Sequence, residues 1–166
     1  MSKLFVLATL LLTCTAFPDS RATINTTLDD WHDAAADADE SRYFGAMAPE
    51  FIFLGTDATE RWDVTSFRAF AHPYFAKGKA WTFVPRDRHV ILAPTGDVAW
   101  FDEKLDSASY GECRGTGVVR KIGDAWKIAH YNLTIPIPND LAKSVVDMIR
   151  KSSTAPPTPP PPPPSR

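Results

Sequence analysis

Cysteine is nearly absent from this chain, which carries only Cys14 and Cys113. If cleavage follows Ala16, Cys113 alone remains, which excludes an intramolecular disulfide framework and makes it a small apolar core residue. Metal-binding spacing is missing as well. The four histidines, His32, His72, His89 and His130, form no His-x-His or His-x-x-x-His pair, so no metal and no other cofactor is expected. There is neither a glycine-rich phosphate loop nor a Gly-x-Ser-x-Gly elbow. A basic surplus is lacking too: the formal net charge is -2, which argues against a nucleic-acid partner. The longest apolar run, Leu4 to Leu12, falls short of the about 20 residues a bilayer-spanning helix needs, and no internal repeat stands out.

What is present divides the chain into four. Lys3, the run Leu4 to Leu12 and the small residues Thr13 to Ala16 make 1–16 a secretory signal peptide, so the chain is expected to be exported, to a periplasm or to the medium. Lipid attachment at Cys14 fits poorly, because Leu12 and Thr13 stand where small residues are wanted. Residues 17–25 are a short leader, 26–151 one domain, and 152–166 a disordered tail containing the unbroken run Pro159 to Pro164, a polyproline spacer with nothing to bury.

Within the domain the period changes once. Thr27 is expected to open a helix through Ala36, and a second helix runs from about Asp39 to Ala48, with Pro49 ending it. Phe51 to Leu54 is a short strand. A loop over Gly55 to Asp63 precedes a third helix, capped by Asp63 or Thr65, on which Val64, Phe67, Phe70, Ala71 and Tyr74 recur at helical spacing. Then come four extended segments, Trp81 to Leu92, Val98 to Leu105, Gly111 to Lys121 and Trp126 to Ile135, with short connections that imply antiparallel neighbours. Helices first and a meander second make an α+β domain.

Four stretches, in this order after two helices, resemble the SnoaL-like families of the nuclear transport factor 2-like superfamily: Phe53 to Trp62, Ala99 to Glu103, Cys113 to Val118 and Trp126 to Leu133. The resemblance implies a cone-shaped barrel in which a strongly curved antiparallel sheet and three N-terminal helices enclose a cavity, often dimeric through the convex sheet face. It chooses no activity, since the superfamily holds isomerases, cyclases, dehydratases and protein-binding modules.

Strict alternation along the last strand sets Trp126, Ile128, His130, Asn132 and Thr134 on one face. If that face is concave, His130 is a candidate acid/base residue and Asn132 a donor to an oxyanion. Glu103, in phase with Ala99 and Phe101, is the carboxylate expected inside, and Asp57, at the cavity mouth, is a third catalytic candidate or a loop-closing residue. Trp62, His89, Phe101, Arg114, Thr116 and Ile128 complete the ligand-binding candidates, Arg114 pairing with an internal carboxylate or with a carboxylate-bearing ligand. His32 and His72 are expected on helix surfaces or in packing. Three readings stay open: a binder of a small, largely apolar ligand, an isomerase-like or cyclase-like enzyme using His130 with Glu103 or Asp57, and a protein-interaction module. A homodimer through the sheet is expected in addition.

Overall fold

A computed structural model describes residues 19–154. The expected signal peptide and most of the proline-rich segment expected to be disordered lie outside these residues. Four helices and six strands follow in the order α1 (Ser20–Ala36), α2 (Glu40–Gly45), β1 (Met47–Leu54), β2 (Arg61–Asp63), α3 (Val64–Phe75), β3 (Val84–Leu92), β4 (Val98–Ser107), β5 (Gly111–Ile122), β6 (Ala125–Thr134) and α4 (Ala142–Thr154).

The first helix starts seven residues before Leu28's expected cap at Thr27. Asp19 caps it, its side chain accepting from the backbone N of Arg21 at 3.1 Å. Asn25, Thr26 and Thr27 read locally as turn formers, yet their side chains donate to carbonyls four residues back, and Ile24, Leu28, Trp31 and Ala35 form one buried stripe. Tertiary burial thus overrides weak local propensity. The second helix is shorter than expected for a related reason. At its end β6 captures the chain: Lys127 Nζ donates to the Gly45 carbonyl at 2.6 Å and Ile128 N to that of Ala46 at 3.0 Å. Met47 then pairs with Ile128 as a strand, and Pro49, expected to stop a helix, sits in the irregular part of β1, where no ladder N–H is required.

The sheet runs β2-β1-β6-β5-β4-β3. Its β3 to β6 meander is antiparallel as expected, with the last turn made by Gly123 (φ 59°) and Asp124 between the paired Ile122 and Ala125. Two features correct the expectation of three helices on a wholly antiparallel sheet: β1 joins β6 in parallel, and α4 adds a fourth helix beyond the meander. β6 is nevertheless an interior strand, and the sheet curls around α1, α2 and α3 without closing.

Two bulges decide which residues face inward. In β6, Val119 pairs with Ile128 and Val118 with His130, so Ala129 is an extra residue and alternation slips by one. Before it Trp126 and Ile128 are buried; after it Tyr131 and Leu133 are buried instead. In β3, Arg86 pairs with Lys104 and His89 with Asp102, and the extra residue takes up a left-handed conformation at Asp87 (φ 48°), one that Asp tolerates better than most residues. That slip turns Arg88 into the cone.

Candidate functional site

The interior of the cone has a polar end and an aromatic end. At the polar end β4 presents Glu103, 1% exposed. Its Oε1 accepts from the Tyr131 hydroxyl at 2.9 Å and lies 2.8 Å from His32 Nε2 on α1, while its Oε2 accepts from Arg88 Nε at 2.7 Å. Arg88 also donates through Nη1 to Asp29 at 2.7 Å and to the Asn25 carbonyl at 3.1 Å. Burial alone would push the Glu103 carboxyl up. The hydrogen bond and charge of His32, joined by Arg88, outweigh it and hold the group below its usual range, so Glu103 stays a carboxylate. Room for this cluster comes from β5. A side chain at Gly115 would collide with the Tyr131 hydroxyl, and its Cβ would lie 3.0 Å from Glu103 Oε1.

At the aromatic end a cavity of about 230 Å³ opens between β1, β2 and α3. Phe53, Trp62, Phe67 and Phe70 line one wall, with Trp62 stacked on Phe70 at 4.7 Å and Phe53 on Phe67 at 4.4 Å. Tyr74, Trp81, Phe83, Tyr110 and Leu133 supply the rest of the apolar lining, and Gly55, Thr56 and Glu60 the rim. Phe53, Trp81, Phe83 and Leu133 also border a smaller chamber of about 20 Å³, lined further in by Trp31, His32, Tyr43 and Tyr131. That volume suits a single oxygen-sized group. Trp31 Nε1 and the Tyr43 hydroxyl, both buried, have no hydrogen-bond partner among the described residues, and neither has Arg88 Nη2 at the polar end. Burial pushes the Tyr43 hydroxyl well above its ordinary value, while the Trp81 indole N–H, close to it though outside hydrogen-bond geometry, pulls the other way; that N–H can only donate, so the hydroxyl's own proton still lacks an acceptor. Burial, together with the Glu103 charge, likewise raises Tyr131. Both phenols are therefore neutral donors.

The sequence-derived candidates divide between the two faces. Glu103 and Phe101 point inward as their phase with Ala99 demands, Trp62 lines the cavity, and Ile128 is buried in the core. His130 and Asn132 do not face the cavity: the Ala129 bulge turns them outward, beside Val118 and Thr116 of β5. Arg114 and Thr116 are outward too, because on β5 the inward positions belong to Cys113, Gly115, Gly117 and Val119. His89 lies outside with Asp102, its Nδ1 3.3 Å from that carboxylate. Asp57 is exposed and closes its own loop, accepting from the backbone N of Thr59 at 2.8 Å and from its hydroxyl at 2.6 Å. Those bonds, the hydroxyl's foremost, lower its pKa.

Three inward residues were not singled out from the sequence, His32, Arg88 and Tyr131, while Tyr43 was expected to be buried by the second helix but not to border a chamber. For His32 a signal existed, since it follows Trp31 on a helix whose buried stripe it borders. For Arg88 and Tyr131 the signal was only local, because each is in phase with the residues beyond its bulge, Val90 and Leu92 for Arg88 and Leu133 for Tyr131, and not with those before it.

The model of the SnoaL-like domain family matches residues 24–138. This chain belongs to the SnoaL-like domain family. A search of curated proteins found no match. Among solved structures the SnoaL-like domain resembles a nuclear transport factor 2-like protein of unknown function from Pseudomonas putida, with a TM-score of 0.60 and 17% identity over 74% of this chain and 92% of that one. A proposed dehydratase of the same superfamily from Streptomyces avermitilis gives a TM-score of 0.60 and 13% identity over 70% and 96% of the two chains. A proposed aromatic ring hydroxylase from Novosphingobium aromaticivorans gives 0.58 and 17% over 71% and 90%. These likenesses establish the cone fold of the SnoaL-like domain. Among the described residues no helix is long and apolar enough to cross a membrane.

Proposed function

We propose that this SnoaL-like domain, acting after export, holds a small and largely apolar molecule in its cone. One observation carries the reading: an aromatic cavity shares Phe53, Trp81, Phe83 and Leu133 with an oxygen-sized chamber bordered by Trp31 and Tyr43, whose buried donors have no protein acceptor, while the neighbouring Glu103 carboxylate is already committed. Unpaired buried donors are costly unless something accepts from them, and a ligand carbonyl or hydroxyl reaching the chamber would do so. A ligand carboxylate finds less support, since Arg114 is outside. Native mass spectrometry of the mature protein purified from its host, with thermal shift across apolar ketones, alcohols and acids, tests this reading. Retained or stabilising compounds support it; an empty protein indifferent to the whole panel refutes it.

An enzymatic version draws on the neighbours described as a dehydratase and a hydroxylase. His130 and Asp57 are badly placed for it, but His32 and Tyr131 both line the inner chamber and could pass a proton to a bound oxygen. Turnover that disappears in His32→Gln while ligand binding persists would support that version. Pairing of two copies through the outer sheet face is favoured by Ile91 and Trp100, adjacent on β3 and β4 and each 46% exposed. Light scattering of wild type against Trp100→Glu checks it.

A further inference from the structure

The charge around the aromatic cavity has one sign. Glu60 is the sole ionisable carboxylate among its lining residues, and no Lys, Arg or His lines it. The loop holds this side chain in place. Gly55 N donates to the Glu60 carbonyl at 3.0 Å, Glu60 N to the Asp57 carbonyl at 3.0 Å, and Asp57 N to Glu60 Oε2 at 3.2 Å. A side chain at Gly55 would strike the Glu60 carboxylate, so the glycine is what lets the acid fold over the rim. Arg61, the next residue, is exposed on the opposite side of β2 from Trp62. Among the described residues Glu60 makes no ion pair, and it shares the cavity lining with the stacked Trp62 and Phe70.

We infer that the molecule held in the cone is an organic cation, an ammonium or quaternary ammonium on an apolar body, with its charged head at the Glu60 rim. A cation gains from the Glu60 carboxylate at a mouth that holds no competing positive charge, whereas an anion entering the same mouth is repelled and a neutral ligand leaves the half-buried Glu60 without a counter-charge. The inference rests on the cone being a ligand site, and it fixes the sign of the ligand's charge.

Tryptophan fluorescence titration of the whole protein with three matched probes tests both at once: phenethyltrimethylammonium, its neutral carbon isostere (3,3-dimethylbutyl)benzene, and 3-phenylpropanoate. The cation is expected to bind at least about tenfold tighter than the isostere and the carboxylate weakest. In Glu60→Gln, which keeps the acceptor for Asp57 N, the preference should fall to within about threefold with unchanged thermal unfolding. Equal binding of cation and isostere, tighter binding of the carboxylate, or a preference that survives Glu60→Gln overturns the inference and leaves the cavity reading standing. Failure of all three probes to bind removes both.

Discussion

The two ends of the cone treat polar groups in opposite ways. Around Glu103 both carboxylate oxygens are taken up by His32, Tyr131 and Arg88, and of the groups that bind it only Arg88 Nη2 is a buried donor without a partner among the described residues. A few ångströms away, Trp31 and Tyr43 are as deeply buried, yet their donors have no protein acceptor. The first arrangement is that of a structural brace and the second that of a receptor. An inward carboxylate is therefore poor evidence of acid/base chemistry when a guanidinium is already bound to it.

The sharpest way to break this contrast is to remove the brace. Arg88→Met leaves the buried Glu103 with one cationic partner fewer, and breaking a buried pair from one side is expected to cost about 3–5 kcal/mol, read by denaturant unfolding. Gly115→Ala presses a methyl against Tyr131 and Glu103 from the sheet side and should cost about 2 kcal/mol, with the cavity mouth unaffected. Glu103→Gln keeps the shape and should cost about 1–2 kcal/mol near neutrality. Its pH signature is more telling. The folded-state pKa of Glu103 is depressed, so its contribution is present above the unfolded value of about 4.3 and is lost as pH falls through the lower folded value. Wild type should lose stability over that acidic window, and Glu103→Gln should lose less; equal slopes would contradict the brace. At the far end of the scale, His130→Ala should alter stability by no more than about 0.5 kcal/mol and leave ligand binding as it was. A large effect on binding would place His130 in the site after all.

Much of the architecture was legible because it rests on long-range periodicity. Ala99, Phe101, Glu103 and Leu105 alternate without interruption along β4, and all four face the core. The third helix was equally readable from its aromatic spacing and the Asp63 cap, whose carboxylate accepts from Ser66 N at 2.8 Å. The site was harder to read because it depends on the two places where periodicity fails. Neither Ala129 nor Asp87 carries a local mark of a bulge, and a slip of one residue exchanges the faces of everything beyond it. The Asn132 and Arg114 assignments failed for that reason, or for the converse one, that β5 turns its glycines rather than its side chains toward the core. The parallel join of β1 to β6 was hidden as well, since it connects segments more than seventy residues apart.

The extra residue in β6 has an evolutionary reading. In most pockets the chemistry changes by exchanging one side chain for another. Here register alone would suffice: deleting Ala129 would leave Trp126, Ile128, Tyr131 and Leu133 inward in unbroken alternation, whereas pairing the unaltered strand without its bulge would carry His130 and Asn132 inside and expel Tyr131 from the Glu103 brace. Among descendants of such a chain, forming or smoothing the bulge at unchanged length would act as a toggle between a tyrosine-lined cone and a histidine-lined one.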